Sequence, residues 1–187
     1  AFLDFVYDGG GLFGCHAATD GGKDKWPEYS QLWGGAFGGH PWGKTGTWRI
    51  RNYDPRHAIN KCFHGEGFDI NDELYRQVHP YKKGNFHTLT CIDLSARQNT
   101  HSNNGNIKTV PPEEERKPGE TNPAKVPLNL DREYPTSWCK KARKGRVFYA
   151  TFGHNESAYC IPKIVEHYLR GLQYVLGDLE ADDVPDR

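Results

Sequence analysis

Two short stretches carry the side chains best suited to chemistry. "GGGLFGCHAATD" (9–20) places Cys15 and His16 behind a short apolar run and closes on Asp20, and "FGHNES" (152–157) places His154 two residues before Glu156. Imidazole changes charge near neutral pH, so a histidine at an element's tip can move protons or ligate a metal. A nearby carboxylate can orient the ring through its second N–H or join a ligand set. Cys15 offers a different chemistry, thiolate attack. Further candidates are His40 and Trp42 in "GGHPW", Asp72 and Glu73 in "NDELY", and His57 in "DPRHAI". His40 lies in a glycine-rich loop, where binding residues concentrate. Each has a plainer role open to it: Asp20 can cap a helix, Glu156 can sit favourably at a helix N-terminus, and His57 can serve a turn.

The elements that must position these residues follow from pattern. Phe2, Val6 and Tyr7 before three glycines predict the last turns of a helix with a glycine stop. Leu12–Cys15 reads as a short buried strand. "DKWPEYSQLWGG" (24–35) predicts a helix with Pro27 in its first turn, and "GGAFGGHPWG" a loop. "TGTWRIRNYD" (45–54) alternates Trp48, Ile50 and Asn52 against Arg49 and Arg51, a half-exposed strand. Phe68 and Ile70 alternate within 67–76, and "FHTLTCIDLS" (86–95) is rich in β-branched residues. The basic run Lys140–Arg146 reads as a solvated turn, and Val147–Phe152 as a continuous apolar strand of the parallel-sheet kind. A helix is predicted over 159–176, with Ser157 as N-cap, Gly177 as stop, and one apolar face of Ile164, Val165, Tyr168, Leu169, Leu172, Val175 and Leu176. Residues 96–127 carry almost no large apolar side chain and predict a long surface excursion. The acidic tail 178–187 is expected to fray.

Together these predict one α/β domain over 1–177, a three-layer sandwich with a mostly parallel sheet. Ligands of such sheets sit beyond the carboxyl ends of the strands. The two strongest strands end at Cys15-His16 and Gly153-His154, which puts a histidine at each. The chain has 187 residues, with 24 basic and 24 acidic side chains, so no net charge steers it to nucleic acid or an acidic membrane. No apolar run is long enough to span a bilayer. Five cysteines, an odd number without a CxxC pair, argue against a disulfide framework and favour a reducing, cytoplasmic setting over a periplasmic one. An opening on the end of a helix implies sequence upstream of residue 1.

The motifs "GGGLFGCHAATD", "WPEYSQLWGGAFGGHPW", "DELY" and "GRVFYATFGHNESAY" occur in order through nearly the whole chain. In them the chain resembles the ThuA-like family, associated with the use of trehalose and related sugars. The resemblance implies a class I glutamine amidotransferase-like, flavodoxin-like fold. It also implies one or two strands before the glycine turn. Those would be supplied by upstream sequence, by a homo-oligomer or by a partner chain. That superfamily carries a Gly-x-Cys-x-Gly elbow; laid on this chain, Gly14 and Ala18 take the glycine places and His16 takes the nucleophile's. His154 and Glu156 match the His-x-Glu that closes such sites. A histidine at the elbow cannot perform thiolate acyl transfer, so glutaminase activity is not expected. What remains is acid–base work on a sugar or keto-sugar by His16, His154 and Glu156, or metal-assisted chemistry with His16 and His154 as ligands of a divalent transition metal. Asp20, His40, Asp72 and Glu73 are then expected to bind the carbohydrate's hydroxyls, with metal binding the other role open to Asp72 and Glu73, and Trp42 to offer it an aromatic face. The alternative is a non-catalytic domain that binds a carbohydrate or a partner subunit.

Overall fold

A computed structural model of the chain describes residues 1–22, 25–78, 84–100, 109–110, 128–129 and 132–186. The helices are α1 (Phe2–Tyr7), α2 (Pro27–Trp33), α3 (Arg97–Thr100) and α4 (Pro162–Leu176). The strands are β1 (Gly11–Cys15), β2 (Ala36–Phe37), β3 (Thr47–Asn52), β4 (Phe68–Asn71), β5 (Gln77–Val78), β6 (His87–Ile92), β7 (Thr109–Val110), β8 (Leu128–Asn129), β9 (Pro135–Ala142) and β10 (Gly145–Ala150). Six of them form one sheet in the order β1-β10-β9-β6-β3-β4; β2 pairs with β5 and β7 with β8 in two small ladders.

The α/β class holds, but the sheet is mostly antiparallel. Only β1 and β10 run parallel within the six-stranded sheet; β10–β9, β9–β6, β6–β3 and β3–β4 are antiparallel. Parallel neighbours need a crossover of a dozen residues or more. β9 and β10 are instead joined by Arg143 and Lys144 alone, with Arg143 in the left-handed region at φ 56°. The basic run is therefore mostly strand, and only those two residues turn. The continuous apolar run of β10 reports burial on both faces rather than strand direction. Val147 and Tyr149 join an apolar cluster with Val6, Leu32, Trp33 and Trp138, while Phe148 and Ala150 join another with Ile50, Phe68, Ile164 and Tyr174. β3 buries Trp48, Ile50 and Asn52, as its alternation predicts.

α2 has Pro27 in its first turn and ends on Gly34 at φ 92°, a conformation that favours glycine. α4 starts later than the periodicity indicates. Ser157 falls in a 3-10 turn (Glu156–Cys160), Ile161 is the N-cap, and Gly177 closes the helix at φ 90°. Its buried side is also rotated. Ile164, His167, Gly171, Tyr174 and Val175 face inward, while Val165, Leu169, Leu172 and Leu176 are exposed. Gly171 explains the rotation: a Cβ there would lie 2.7 Å from the Phe148 ring, so the helix sits close on its glycine side.

Two further expectations are corrected. The tail does not fray: His57 Nε2 donates to Asp182 O at 2.7 Å, His87 Nδ1 to Val184 O at 3.0 Å, and Asp186 exchanges hydrogen bonds with Phe86 O and Thr88 N. Asn99, within the stretch read as a surface excursion, is fully buried and pairs with both backbone groups of Arg49. Residues 101–108 and 111–127 of that stretch lie outside the described residues. No helix among the described residues is long and apolar enough to cross a membrane.

Candidate functional site

Parallel pairing of β1 with β10 sets Cys15 beside Ala150, so both strands release their chains at the same end of the sheet. His16 follows β1 directly, at φ 41°, a left-handed conformation uncommon for a residue with a Cβ. Its carbonyl accepts from Tyr149 Oη at 2.7 Å, which holds the turn on β10. Gly14 is required beneath it, since a Cβ there would strike the Trp33 ring. Beyond β10 the chain continues through Thr151 and Phe152, turns at Gly153 (φ 111°), and presents His154.

Thr151 fixes the His16 ring. His16 Nδ1 lies 3.1 Å from Thr151 O; a carbonyl only accepts, so Nδ1 carries the proton and Nε2 presents its lone pair in the neutral ring. That nitrogen faces His154 Nδ1 at 3.2 Å. The same His154 nitrogen lies 3.3 Å from Glu73 Oε1, and His16 Nε2 lies 3.9 Å from that oxygen. Glu73's second oxygen is 3.7 Å from His40 Nδ1. The His16 and Glu73 side chains are each 13% exposed and that of His154 33%, so the cluster sits at the floor of the strand ends and opens to solvent on the His154 side.

Asp72 locks the two loops together. It is fully buried, yet its carboxylate accepts from Gly153 N at 2.6 Å, Asn155 N at 2.7 Å and Glu73 N at 3.0 Å. One buried anion thus fixes the backbone on both sides of His154 and at Glu73. Its position in the sequence suits a sugar ligand, but its oxygens are committed to the protein. After Asn71 the chain stays extended. Asp72 and Leu74 turn inward, while Glu73 and Tyr75 reach His16, the Tyr75 ring lying 4.3 Å from the imidazole between centroids. Phe37 packs on Tyr75 at 4.4 Å.

The remaining candidates fall elsewhere. Glu156 is exposed in the first turn of the 3-10 segment and makes no hydrogen bond or ion pair with His16 or His154. The carboxylate beside the histidines is that of Glu73. Trp42 is fully buried with its Nε1 bonded to Asn99 O, so it has no face to offer a sugar. Asp20 ends the 3-10 turn after His16, exposed, with its charge near the Tyr75 phenol. Cys15 Sγ lies 3.7 Å from Tyr159 Oη rather than against a histidine. His57 is buried under the tail, its Nδ1 accepting from Ile59 N.

Tyr75, Tyr159 and Phe37 line the site without having been singled out from sequence. Burial, and then the charge of Glu73, raises the Tyr75 phenol to about 12. Burial, and then its contact with Cys15, does the same for Tyr159. Both phenols stay protonated at neutral pH and can donate a hydrogen bond. The signal for Tyr75 was its period-two spacing from Glu73 within "DELY".

Residues 1–175 match the family model described as "ThuA: Trehalose utilisation". The chain belongs to the ThuA family. The match contains His16, Glu73 and His154. A crystal structure of a ThuA-like protein from Parabacteroides merdae superposes with a TM-score of 0.60 at 18% identity, over 93% of this chain. The chain spans 63% of that protein's length. No curated protein matches this ThuA-family chain.

Proposed function

We propose that this ThuA-family chain is an enzyme of carbohydrate use that acts on a sugar or keto-sugar at the His16–Glu73–His154 cluster. The observation that carries the reading is the convergence of the three side chains, with His16 Nδ1–H donating to Thr151 O. That arrangement leaves the Nε2 lone pair free to take a proton, beside a second imidazole that Glu73 can orient. A sugar hydroxyl or the carbon next to a keto group is the kind of proton source such a pair would serve. Tyr75 supplies a neutral donor for a carbonyl or glycosidic oxygen, and the Phe37–Tyr75 pair an apolar wall for a ring face. Thiolate acyl transfer has no support, because the Cys15 thiol faces a phenol and not a histidine.

The test is turnover of trehalose, other disaccharides and their keto derivatives, followed by NMR of the sugar. His16→Asn keeps a residue tolerant of positive φ at the turn and removes the base. Loss of turnover with the fold intact supports the reading. Sugar binding without turnover in the unaltered chain would replace it with the non-catalytic alternative.

A further inference from the structure

We infer that His16 Nε2, His154 Nδ1 and Glu73 Oε1 form a three-ligand site for one divalent transition cation. This rests on the reading of the same cluster as the working site. The three atoms come from three separate segments, and each can present a lone pair to the space between them. His16 must do so, because its other nitrogen is spent on Thr151 O. A shared proton can satisfy two such atoms; a divalent cation satisfies all three. The separations of 3.2, 3.3 and 3.9 Å also have the right size. Ligands about 2.0–2.2 Å from a metal at tetrahedral angles lie roughly 3.3–3.6 Å apart. Only the His16–Glu73 edge is longer, by a few tenths of an ångström.

The surroundings are those of a ligand set held in place from behind. Thr151 O fixes the tautomer and tilt of His16, as outer-sphere carbonyls do for metal-bound histidines. Asp72 accepts the backbone N–H of Glu73 and of both neighbours of His154, so two of the three ligands share one buried anchor. Two imidazoles and one carboxylate select a transition cation over Mg2+ or Ca2+, which take oxygen sets. Protein supplies three ligands on one side, and the partly exposed His154 side remains for water or a sugar's vicinal oxygens. His40, on Glu73's other oxygen, is placed to hydrogen-bond whatever fills that position.

The experiment is titration of chelator-stripped chain with Zn2+ by calorimetry and with Co2+ by visible absorption, beside metal analysis of the chain as purified. About one Zn2+ per chain is expected, with Co2+ bands of a four- or five-coordinate nitrogen–oxygen site. Glu73→Gln and His154→Ala should each weaken binding at least 100-fold with an unchanged thermal melt of the stripped protein, while Glu156→Gln should bind as the parent does. Absence of saturable binding, or binding indifferent to Glu73→Gln and His154→Ala, overturns the inference. So does full sugar turnover by the stripped chain, which would leave the proposed function standing. Stoichiometric binding at these residues without turnover of any sugar would do the reverse.

Discussion

The molecule holds histidines in two settings, and their partners separate them. At the strand ends, His16 and His154 face each other and Glu73. Elsewhere in the fold, His57, His87 and His167 are buried, and both ring nitrogens of His57 and of His87 are taken up by the protein's own groups. His57 bridges Ile59 N and Asp182 O; His87 bridges Val184 O and the Asp54 carboxylate; His167 Nε2 meets Ser137 Oγ at 3.0 Å. A histidine whose two nitrogens are both spent on the protein's own groups braces the structure. One whose second nitrogen points at another lone pair is poised for a proton, a metal or a substrate.

Removing one histidine from each setting gives the largest contrast. His16→Asn or His154→Ala is expected to lower turnover about 1,000-fold, the usual worth of a positioned acid–base group, with little change in stability. His57→Gln should do the opposite: turnover per folded molecule within about threefold, and stability lower by about 1–3 kcal/mol from the unpaired Asp182 carbonyl and Ile59 amide. Steady-state rates and chemical denaturation on the same preparations read both. Equal kinetic losses in the two settings would erase the distinction.

Asp72 tests whether the working cluster depends on a buried anchor. Asp72→Asn keeps the shape but presents an NH2 to at least one backbone donor. Because it weakens charge-assisted bonds in a fully buried place, it should cost about 2–4 kcal/mol of stability. Since the same bonds register Glu73 against His154, turnover should fall roughly 10- to 100-fold as well. A purely structural residue would move the melt alone, so a normal rate in the folded fraction argues against the positioning role.

The buried setting carries its own pH signature. Burial pulls the His167 pKa down to about 3 and pushes that of His57 downward. Their folded forms therefore stay neutral on acidification, while the unfolded chain takes up protons below about 6.5. The unfolded state binds more protons, so stability is full above pH 6.5 and declines as pH falls towards 3. At pH 5 His167 alone accounts for about 2 kcal/mol of that decline. His167→Gln keeps a partner for Ser137 and cannot titrate, so its stability should fall less steeply between pH 6.5 and 4. Parallel urea midpoints for the two proteins across that range would contradict the assignment.

Much of this division was open to reading, and the failures are instructive. Apolar continuity in β10 foretold a strand buried on both faces and a histidine at its end, but not direction, because direction is set by the two-residue hairpin at Arg143-Lys144. His16 and His154 were legible because each lies just beyond a strand end, His16 directly and His154 four residues after Ala150. Glu73 was visible as a candidate, but its partnership was not. The ion pair joins residues more than 50 positions apart, and local spacing made Glu156 the apparent partner. Trp42 looked like a binding aromatic because it stands beside His40. In the structure the indole goes to the core, with its Nε1 donating to Asn99 O. On α4 the exposed Val165, Leu169, Leu172 and Leu176 outnumber the apolar residues that are buried, so periodicity alone pointed to the wrong side.

The smallest expected effect sharpens the comparison most economically. Glu156 stands two residues from His154, the spacing by which sequence alone would assign the orienting carboxylate. In the folded chain a one-turn 3-10 helix begins there, and the side chain points into solvent, where an exposed acid contributes little beyond a few tenths of a kcal/mol at a helix start. Glu156→Gln should therefore leave turnover within twofold and the melt unmoved. Glu73→Gln, 81 residues upstream of His154, should cost about 100-fold or more in rate, because the imidazole loses the anion that orients it. Steady-state kinetics of the pair discriminates spacing from geometry directly. A large loss in Glu156→Gln with a mild one in Glu73→Gln would return the working carboxylate to the His-x-Glu motif and dissolve the cluster on which the site is built.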